Sequence, residues 1–415
     1  MQIRTGLSAL SAALSERNYR VFTIGNLVSH NGTWAQRAAV LWFTWEITGS
    51  GFWLGLMAVA DLLPVVILGP IAGAIADRVD ILKMLKLTQI AAALQSVLLA
   101  ALTFAGLMTP ELLFVLVLAH GIIVAINQAP RLALVPHLIE RENMSAAIGI
   151  NSMVFNSARA TGPMIGGLLI DSHGVALAFA FNAVSYLWFV GALQCLRIAN
   201  PRGTKPRTRV REIPREIAEG FRYALGHPGI GRLLIVLTVI SICGRPYMEL
   251  LSGFADEVFG RGVKGYSLML SVTGAGAMLG GFALALRVGL AGLTTRVILG
   301  ILFVALSLIG FGLTGSFALA LVCLFVSGAA VIWVGVGVQT LMQTTVDPAM
   351  RGRVMSFYGM IGRGAPAIGA LGMGAAAERF GFQAPIVAGA VICLGLWLWA
   401  ARRRKEMEEA MEKSG

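Results

Sequence analysis

The chain reads as a succession of long apolar runs separated by short polar ones. A membrane-spanning helix needs about 20 mainly apolar residues, and about twelve stretches reach that length. They lie at 20–46, 52–76, 87–107, 111–136, 144–170, 174–196, 231–256, 266–288, 295–314, 317–345, 354–377 and 382–401. Only Gly106 to Pro110 part the third from the fourth, and only Gly289 to Thr294 the eighth from the ninth. Connections this short make antiparallel neighbours. The expected fold class is an all-α membrane protein of twelve transmembrane helices in two pseudo-symmetric six-helix bundles.

Composition sharpens that expectation. Of 415 residues, 57% are hydrophobic and 13% charged, and the mean hydropathy is +0.77. Soluble chains carry roughly 25% charged residues, so this one cannot cover a water-exposed surface. The 50 glycines agree, because glycine is commoner in transmembrane helices than in soluble ones. Cys195, Cys243, Cys323 and Cys393 stand singly in apolar segments, without the spacing of a disulfide framework or a zinc site. No signal peptide is expected, since the first apolar run follows Arg17 and Arg20 and shows no cleavage pattern.

A net charge of +12 would suggest nucleic acid in a soluble protein. Here the positions of the 33 Lys and Arg residues exclude that partner. Arg37, Arg131, Arg159, Arg245 and Arg363 fall inside spans, and Arg261, Lys264 and Arg379 fall in loops on one side. All the others fall in loops and tails on the opposite side, which is the cytoplasmic one. Both termini are therefore expected in the cytoplasm of a multi-pass plasma (inner) membrane protein. Four parts are expected: a bundle over 1–197, a linker over 198–230, a bundle over 231–401 and a charged cytoplasmic tail over 402–415. Within the linker, Ile213, Ile217, Phe221 and Leu225 form a stripe at four-residue spacing. It predicts an amphipathic helix lying on the inner membrane surface. Membrane lipids are the expected surroundings, and a monomer the expected state.

The halves echo each other. Gly69, Gly73 and Asp77 align with Gly276, Gly280 and Leu284, and Gly162, Pro163 and Gly166 align with Ala365, Pro366 and Gly369. Parallel repeats of this kind suit a rocking transporter.

At this point the residues resemble the major facilitator superfamily. Gly73, Asp77, Arg78 and Lys83, after the second span, are similar to its signature G-x-x-x-D-R-x-G-R-[RK], with Asp80, Ile81 and Leu82 as departures. The fifth span carries Gly149, Ala158, Gly162, Pro163, Gly166 and Gly167, which resemble its antiporter signature with Ala158 in place of one glycine. Physically, small residues four apart admit a neighbouring helix, and Pro163 removes a backbone donor. Trp34 to Arg37 through Thr48 to Ser50, Ala129 to Pro136, Glu219 to Pro228 and Arg351 to Ser356 are similar to the proton-coupled exporter branch that includes macrolide-efflux and enterobactin-exporter-like proteins. That branch often has an acid just before the tryptophan, where Thr33 stands here. The resemblance also implies a cytoplasmic gate in which Asp77 meets the start of the eleventh span, at Arg351 and Arg353.

A charge inside the membrane costs about 2.5–3.5 kcal/mol on insertion scales and is a functional candidate for that reason. Arg37 and Asp61 share a depth, each about 25 Å from the inner end of its span. Arg245 and Glu249 are four apart around Pro246, on one face of the seventh span. Glu249 and Asp61 are the candidate proton-coupling groups, with Arg245 and Arg37 as charge partners. A carboxyl group that takes or releases a proton as an arginine moves is what an antiporter needs. Arg159 and Arg363 occupy related places in the fifth and eleventh spans. Asn26, His30, Trp34, Asn127, Gln128 and Arg131 are further cavity candidates in the first half. Asn151, Gln339 and Tyr358 complete that set, and most such Asn, Gln and Tyr are expected to be helix–helix contacts. His30 titrates near neutral pH in its unperturbed state, yet a lone helix histidine is more often a packing residue.

These residues predict a secondary active, proton-coupled exporter of a small amphipathic or anionic molecule, such as a drug or siderophore, working by alternating access. Five intramembrane arginines against two acids favour such cargo over a small cation. A lipid or lysolipid flippase or uniporter is the alternative, followed by a non-transporting sensor. An enzyme is disfavoured, because H-E-x-x-H, G-x-S-x-G and G-x-x-x-x-G-K-[ST] are all missing. No metal and no cofactor are expected.

Overall fold

The computed structural model describes residues 10–76, 79–198, 213–286, 289–347 and 350–412. Among these residues the extended regular elements are all helices. The chain forms two compact units, Met1–Phe43 with Ile67–Val210, and Thr44–Val66 with Arg211–Gly415.

The first unit contains α1 (Arg17–Thr48) as far as Phe43 and α2 (Gly51–Ala76) from Ile67, with α3 (Ile81–Phe104), α4 (Pro110–Leu134), α5 (Met144–His173) and α6 (Val175–Gln194). Local chemistry sets the helix ends. Asp80 accepts from the Lys83 backbone N–H (2.9 Å) and starts α3, and Thr109 caps α4 ahead of Pro110. Asp80, a departure from the family signature, thus has a local structural task. A core of Tyr19, Phe22, Leu85, Leu134, Ile150, Val154 and Phe189 ties α1, α3, α4, α5 and α6 together. The opposite face of α3 exposes Leu87, Ile90, Leu94, Val97 and Leu98, a stripe suited to lipid.

The second unit begins with Thr44–Val66, the end of α1 and the first part of α2. It continues with α7 (Ile213–Gly226) and α8 (Pro228–Val239), and then a broken segment. That segment winds as a π turn (Ile240–Gly244), a 3₁₀ turn (Pro246–Leu250), one short helical turn and a second π turn (Phe254–Val258). Pro246 cannot donate to the ladder, which explains the break. There follow α9 (Gly262–Ala285), α10 (Leu293–Leu313), α11 (Phe317–Thr345), α12 (Arg351–Phe380), α13 (Gln383–Arg402) and α14 (Arg404–Glu412).

Glycines let these helices meet backbone to backbone. A Cβ on Gly280 would stand 2.7 Å from the Ala329 Cα, and one on Gly55 would stand 2.5 Å from the Ala370 carbonyl oxygen. Side chains also fasten Thr44–Val66 to its own unit. Trp45 Nε1 donates to Asp256 (2.9 Å), Ser50 donates to Glu378, and the Trp45 ring meets Phe382 edge-on.

Two parts of the second unit carry detail beyond the expectation. The charged tail is in fact mostly a docked helix, α14. Met407 and Met411, four apart, are fully buried, and the Glu412 carboxylate accepts from the backbone N–H of Gly292 (2.6 Å) and Thr294 (2.7 Å) at the start of α10. The amphipathic linker helix is present as α7, and some of its side chains also reach α12. Glu219 pairs with Arg353 (2.7 Å), and Phe221 packs against Phe357 at 5.6 Å between ring centroids.

Among the described residues nine helices are long and apolar enough to cross a membrane. The three other expected spans, 20–46, 144–170 and 354–377, correspond to α1, α5 and α12, of 32, 30 and 30 residues. At about 1.5 Å per residue each is long enough to cross. What they lack is uniform apolarity, because they carry Arg37, Arg159 and Arg363 with many small and polar residues.

Candidate functional site

In the first unit the site is built where α5 lets α1 come close. A Cβ on Gly162 would lie 2.5 Å from the Trp34 Cβ, and one on Gly166 would lie 2.9 Å from the Ala35 carbonyl oxygen. Ala158 and Pro163 are buried beside them, and Gly167 is buried as well, whereas Gly149 faces open space. The Thr161 hydroxyl donates to Asn31 Oδ1 (2.7 Å) and adds a polar fastener to the seam. This seam holds the Trp34 indole in a fixed place.

Two cations converge on that indole. The Arg37 guanidinium lies 5.9 Å from the ring centroid and the Arg159 guanidinium 5.8 Å. Both distances fall within cation–π reach. Phe155 meets Trp34 at 6.0 Å and His30 at 5.6 Å, edge-on in each case, and is itself 43% exposed. Arg131 lies over the Phe189 ring at 5.0 Å and donates to the Ser29 hydroxyl (3.4 Å), and its Nε is buried with no hydrogen-bond partner among the described residues. The Oδ1 atoms of Asn26 and Asn151 are buried without a hydrogen-bond partner there too. Such atoms are costly unless something satisfies them. Asn127 instead donates to Thr88 (2.7 Å), a contact between α4 and α3, and Gln128 is partly buried.

Beside Trp34 on α1, a polar core joins α1, α3, α4 and α6 through residues outside the expected site. Gln36 accepts from Ser96 (2.7 Å) and Asn182 (2.9 Å) and donates to Gln95 (3.2 Å). Tyr186 joins Thr33 (3.0 Å) to His120 (3.0 Å). The available signal was the spacing of Asn182, Ser185 and Tyr186 on one face of an otherwise apolar helix.

In the second unit the broken segment after α8 sits in a cradle of glycines. A Cβ on Gly369 would overlap the Ile242 carbonyl, and one on Gly389 would stand 2.6 Å from the Cys243 carbonyl oxygen. Arg245 turns toward α12 and donates to the Gly362 carbonyl (2.9 Å). Glu249 is buried at 9% exposure in the 3₁₀ turn, where winding is three residues per turn. Tyr358 donates to the Gly335 carbonyl (3.0 Å), one turn before Gln339 on α11, and lies within electrostatic reach of Arg245 and Arg363. Gln339 is partly buried and Arg363 exposed. Asp61, partly buried on α2, belongs to this unit, whereas Arg37 belongs to the first.

Of the gate residues, Asp77 and Arg78 lie outside the described residues. Gly73 is in the last turns of α2, and Lys83 is in the first turn of α3. Arg351 is exposed, and Arg353 is engaged by Glu219 of α7. No group of His, Cys, Asp and Glu suited to a metal occurs among the described residues.

The model of a family of transmembrane secretion effectors matches residues 8–415. The chain belongs to that family, a branch of the major facilitator superfamily. Curated members of the superfamily resemble it over most of its length. The staphyloferrin A transporter of Staphylococcus aureus is 23% identical over 91% of this chain and 94% of its own. Macrolide efflux protein A of Streptococcus pyogenes is 25% identical over 83% and 85%, and the enterobactin exporter EntS of Escherichia coli is 27% identical over 76% and 73%. Among solved structures, the inward-facing, unoccupied bacterial homologue of the human lysosomal transporter Spinster superposes with a TM-score of 0.75. It covers 96% of this chain and 98% of that one at 16% identity. The expected all-α fold and exporter-branch resemblance are therefore correct. This facilitator is a multi-pass membrane protein and a secondary transporter of small molecules, not an enzyme.

Proposed function

We propose that the protein is a proton-driven exporter of a small anionic or amphipathic molecule, spanning the plasma (inner) membrane twelve times with both termini in the cytoplasm and working as a monomer among membrane lipids. The observation that carries the cargo class is the Trp34 indole, approached by the guanidiniums of Arg37 and Arg159 and flanked by the half-open Phe155 ring. A ring with two cations favours ligands that combine a flat or apolar body with negative charge. Cationic cargo would meet like charge there.

The relatives give the probes: staphyloferrin A, enterobactin and a macrolide. Thermal-shift titration of the purified protein is expected to show binding of at least one of them. Trp34→Ala is expected to weaken that binding about tenfold, in keeping with roughly 1–2 kcal/mol for a desolvated cation–π cluster. Binding restricted to cationic probes, unchanged by Trp34→Ala, would overturn the cargo class.

For the driving force, Glu249 and Asp61 remain the carboxylates to replace, with Arg245 and Arg37 as the cations that accompany them. Glu249→Gln or Asp61→Asn is expected to lose efflux against a gradient. Asp77 is proposed as a cytoplasmic latch, so Asp77→Asn is expected to slow turnover while affinity stays within about twofold, since a latch makes no substrate contact. Lipid or lysolipid flipping is the alternative, and a fluorescent lysolipid that crosses vesicles without regard to pH would favour it.

A further inference from the structure

The acids that lie well inside spans, Asp61 and Glu249, both belong to the second unit. Among the described acids of the first unit, Glu16, Asp80, Glu111, Glu140, Glu142 and Asp171 lie at helix ends or in loops. Its interior is not without titratable groups, however. His120 on α4 is 8% exposed, and its Nε2 lies 3.0 Å from the hydroxyl of Tyr186 on α6, itself 4% exposed. That hydroxyl lies 3.0 Å from Thr33 Oγ1 on α1. His120 and Tyr186 sit about 15 Å and 17 Å from the outer ends of their helices, near the middle of a bilayer.

Proton counting gives this chain a direction. Thr33 Oγ1 donates its one proton to the Ser29 carbonyl (2.8 Å). With that bond made, the Tyr186 hydroxyl must donate to Thr33, so its oxygen is left to accept from His120 Nε2–H. A protonated imidazole carries N–H on both nitrogens and can only donate, so it enforces this arrangement. A neutral imidazole also permits the reverse order, with Thr33 donating to Tyr186 and Tyr186 donating to Nε2. Protonation of His120 thus locks a three-helix hydrogen-bond chain that ends at Ser29 and Thr33. Ser29 adjoins His30, and Thr33 adjoins Trp34. The lock therefore closes on the α1 turn that presents the indole.

We propose that His120 is a proton-binding site of the first unit, with Tyr186 as a positioning residue that transmits its protonation state to α1. In the transport cycle the imidazole gains one proton from the outer side and yields it to the inner side, and no bond other than N–H forms or breaks. The charged and titratable groups on the packed elements are Arg37 and His30 on α1, and Lys83 and Lys86 in the inner turns of α3. Arg17, Tyr19, Arg20 and Glu46 lie toward the ends of α1, Arg131 and Glu111 are on α4, Arg159, Asp171 and His173 are on α5, and Tyr186 is on α6. His120 acts electrostatically on Tyr186, which in turn lies within electrostatic reach of Arg131.

The proposal rests on the proton-driven reading above, and one assay separates the two. Substrate exchange in proteoliposomes is measured between about pH 5.5 and 8, the range where histidine changes charge. The wild type, His120→Gln and Tyr186→Phe are compared with Glu249→Gln. The amide of His120→Gln still reaches Tyr186 but cannot titrate, and Tyr186→Phe keeps the histidine and cuts the chain. Both are expected to flatten the pH profile and to lower efflux against a gradient at least about tenfold, as loss of an essential proton carrier requires. Either variant, folded and pumping with the wild-type profile, would overturn the assignment. A wild type with no pH dependence would instead overturn the proton-driven reading. Should both variants fail to fold, ¹⁵N-histidine spectra of the wild type decide, since the chain has five histidines. At least one buried ring must then change charge in that pH range, and spectra in which only exposed rings titrate would also overturn the proposal.

Discussion

Gly162 shows how one missing methyl group sets a site. The sequence marks it as part of a small-residue stripe, and the structure gives the reason: Trp34 Cβ and the Asn31 carbonyl occupy the space where a side chain would go. Gly149 belongs to the same stripe yet faces open space. Gly162→Leu is therefore expected to push α1 away from α5, at about 1–3 kcal/mol for overpacking. Gly149→Ala should be nearly silent. Thermal unfolding in detergent, together with substrate binding, checks the pair, and equal damage from both would contradict this reading of the seam. The arginines were legible as intramembrane charges. Their convergence on one indole was not, because sequence spacing gives a residue's height on its helix and not which neighbour it meets.

Helix α14 illustrates a limit on reading elements from composition. Its run of charges looks like a solvated tail, and only the four-residue spacing of Met407 and Met411 betrays a buried face. Glu412 then acts as a cap for another helix, accepting from the first backbone N–H groups of α10. Met407→Asp should lower the melting temperature of the protein markedly, since it buries an unpaired charge. Glu412→Ala should lower it by less, in line with about 1 kcal/mol for a lost cap. Helix α7 was legible as an amphipathic helix from its stripe, but not its docking on α12 through Glu219 and Arg353. A charge swap tests that contact. Glu219→Arg alone should speed hydrogen exchange in residues 219–226, and adding Arg353→Glu should restore protection. No recovery in the double variant would mean that the pair does not hold α7.

For the molecule as a whole, fold class and family were readable from apolar run lengths, the one-sided placement of Lys and Arg, and the small-residue motifs. The compact units are another matter. They divide within α1 and α2, because Trp45, Ser50, Gly51 and Gly55 fasten Thr44–Val66 to the rest of the second unit. Nothing in the periodicity of a span marks such a division. The same arrangement leaves Asp61 and Glu249 in one unit and His120 in the other, so each unit carries a titratable group inside the membrane. Topology has its own check: a reporter fused after Gly415 should be active in the cytoplasm, and activity only in the periplasm would overturn the twelve-span orientation. The decisive measurement is transport in proteoliposomes with the membrane potential clamped and a pH gradient imposed. If the protein is a proton-driven exporter, the gradient alone moves its substrate against a concentration difference, opposite to the proton flow, and a protonophore abolishes the movement. A substrate that only equilibrates, at a rate indifferent to the gradient and to the protonophore, would contradict it.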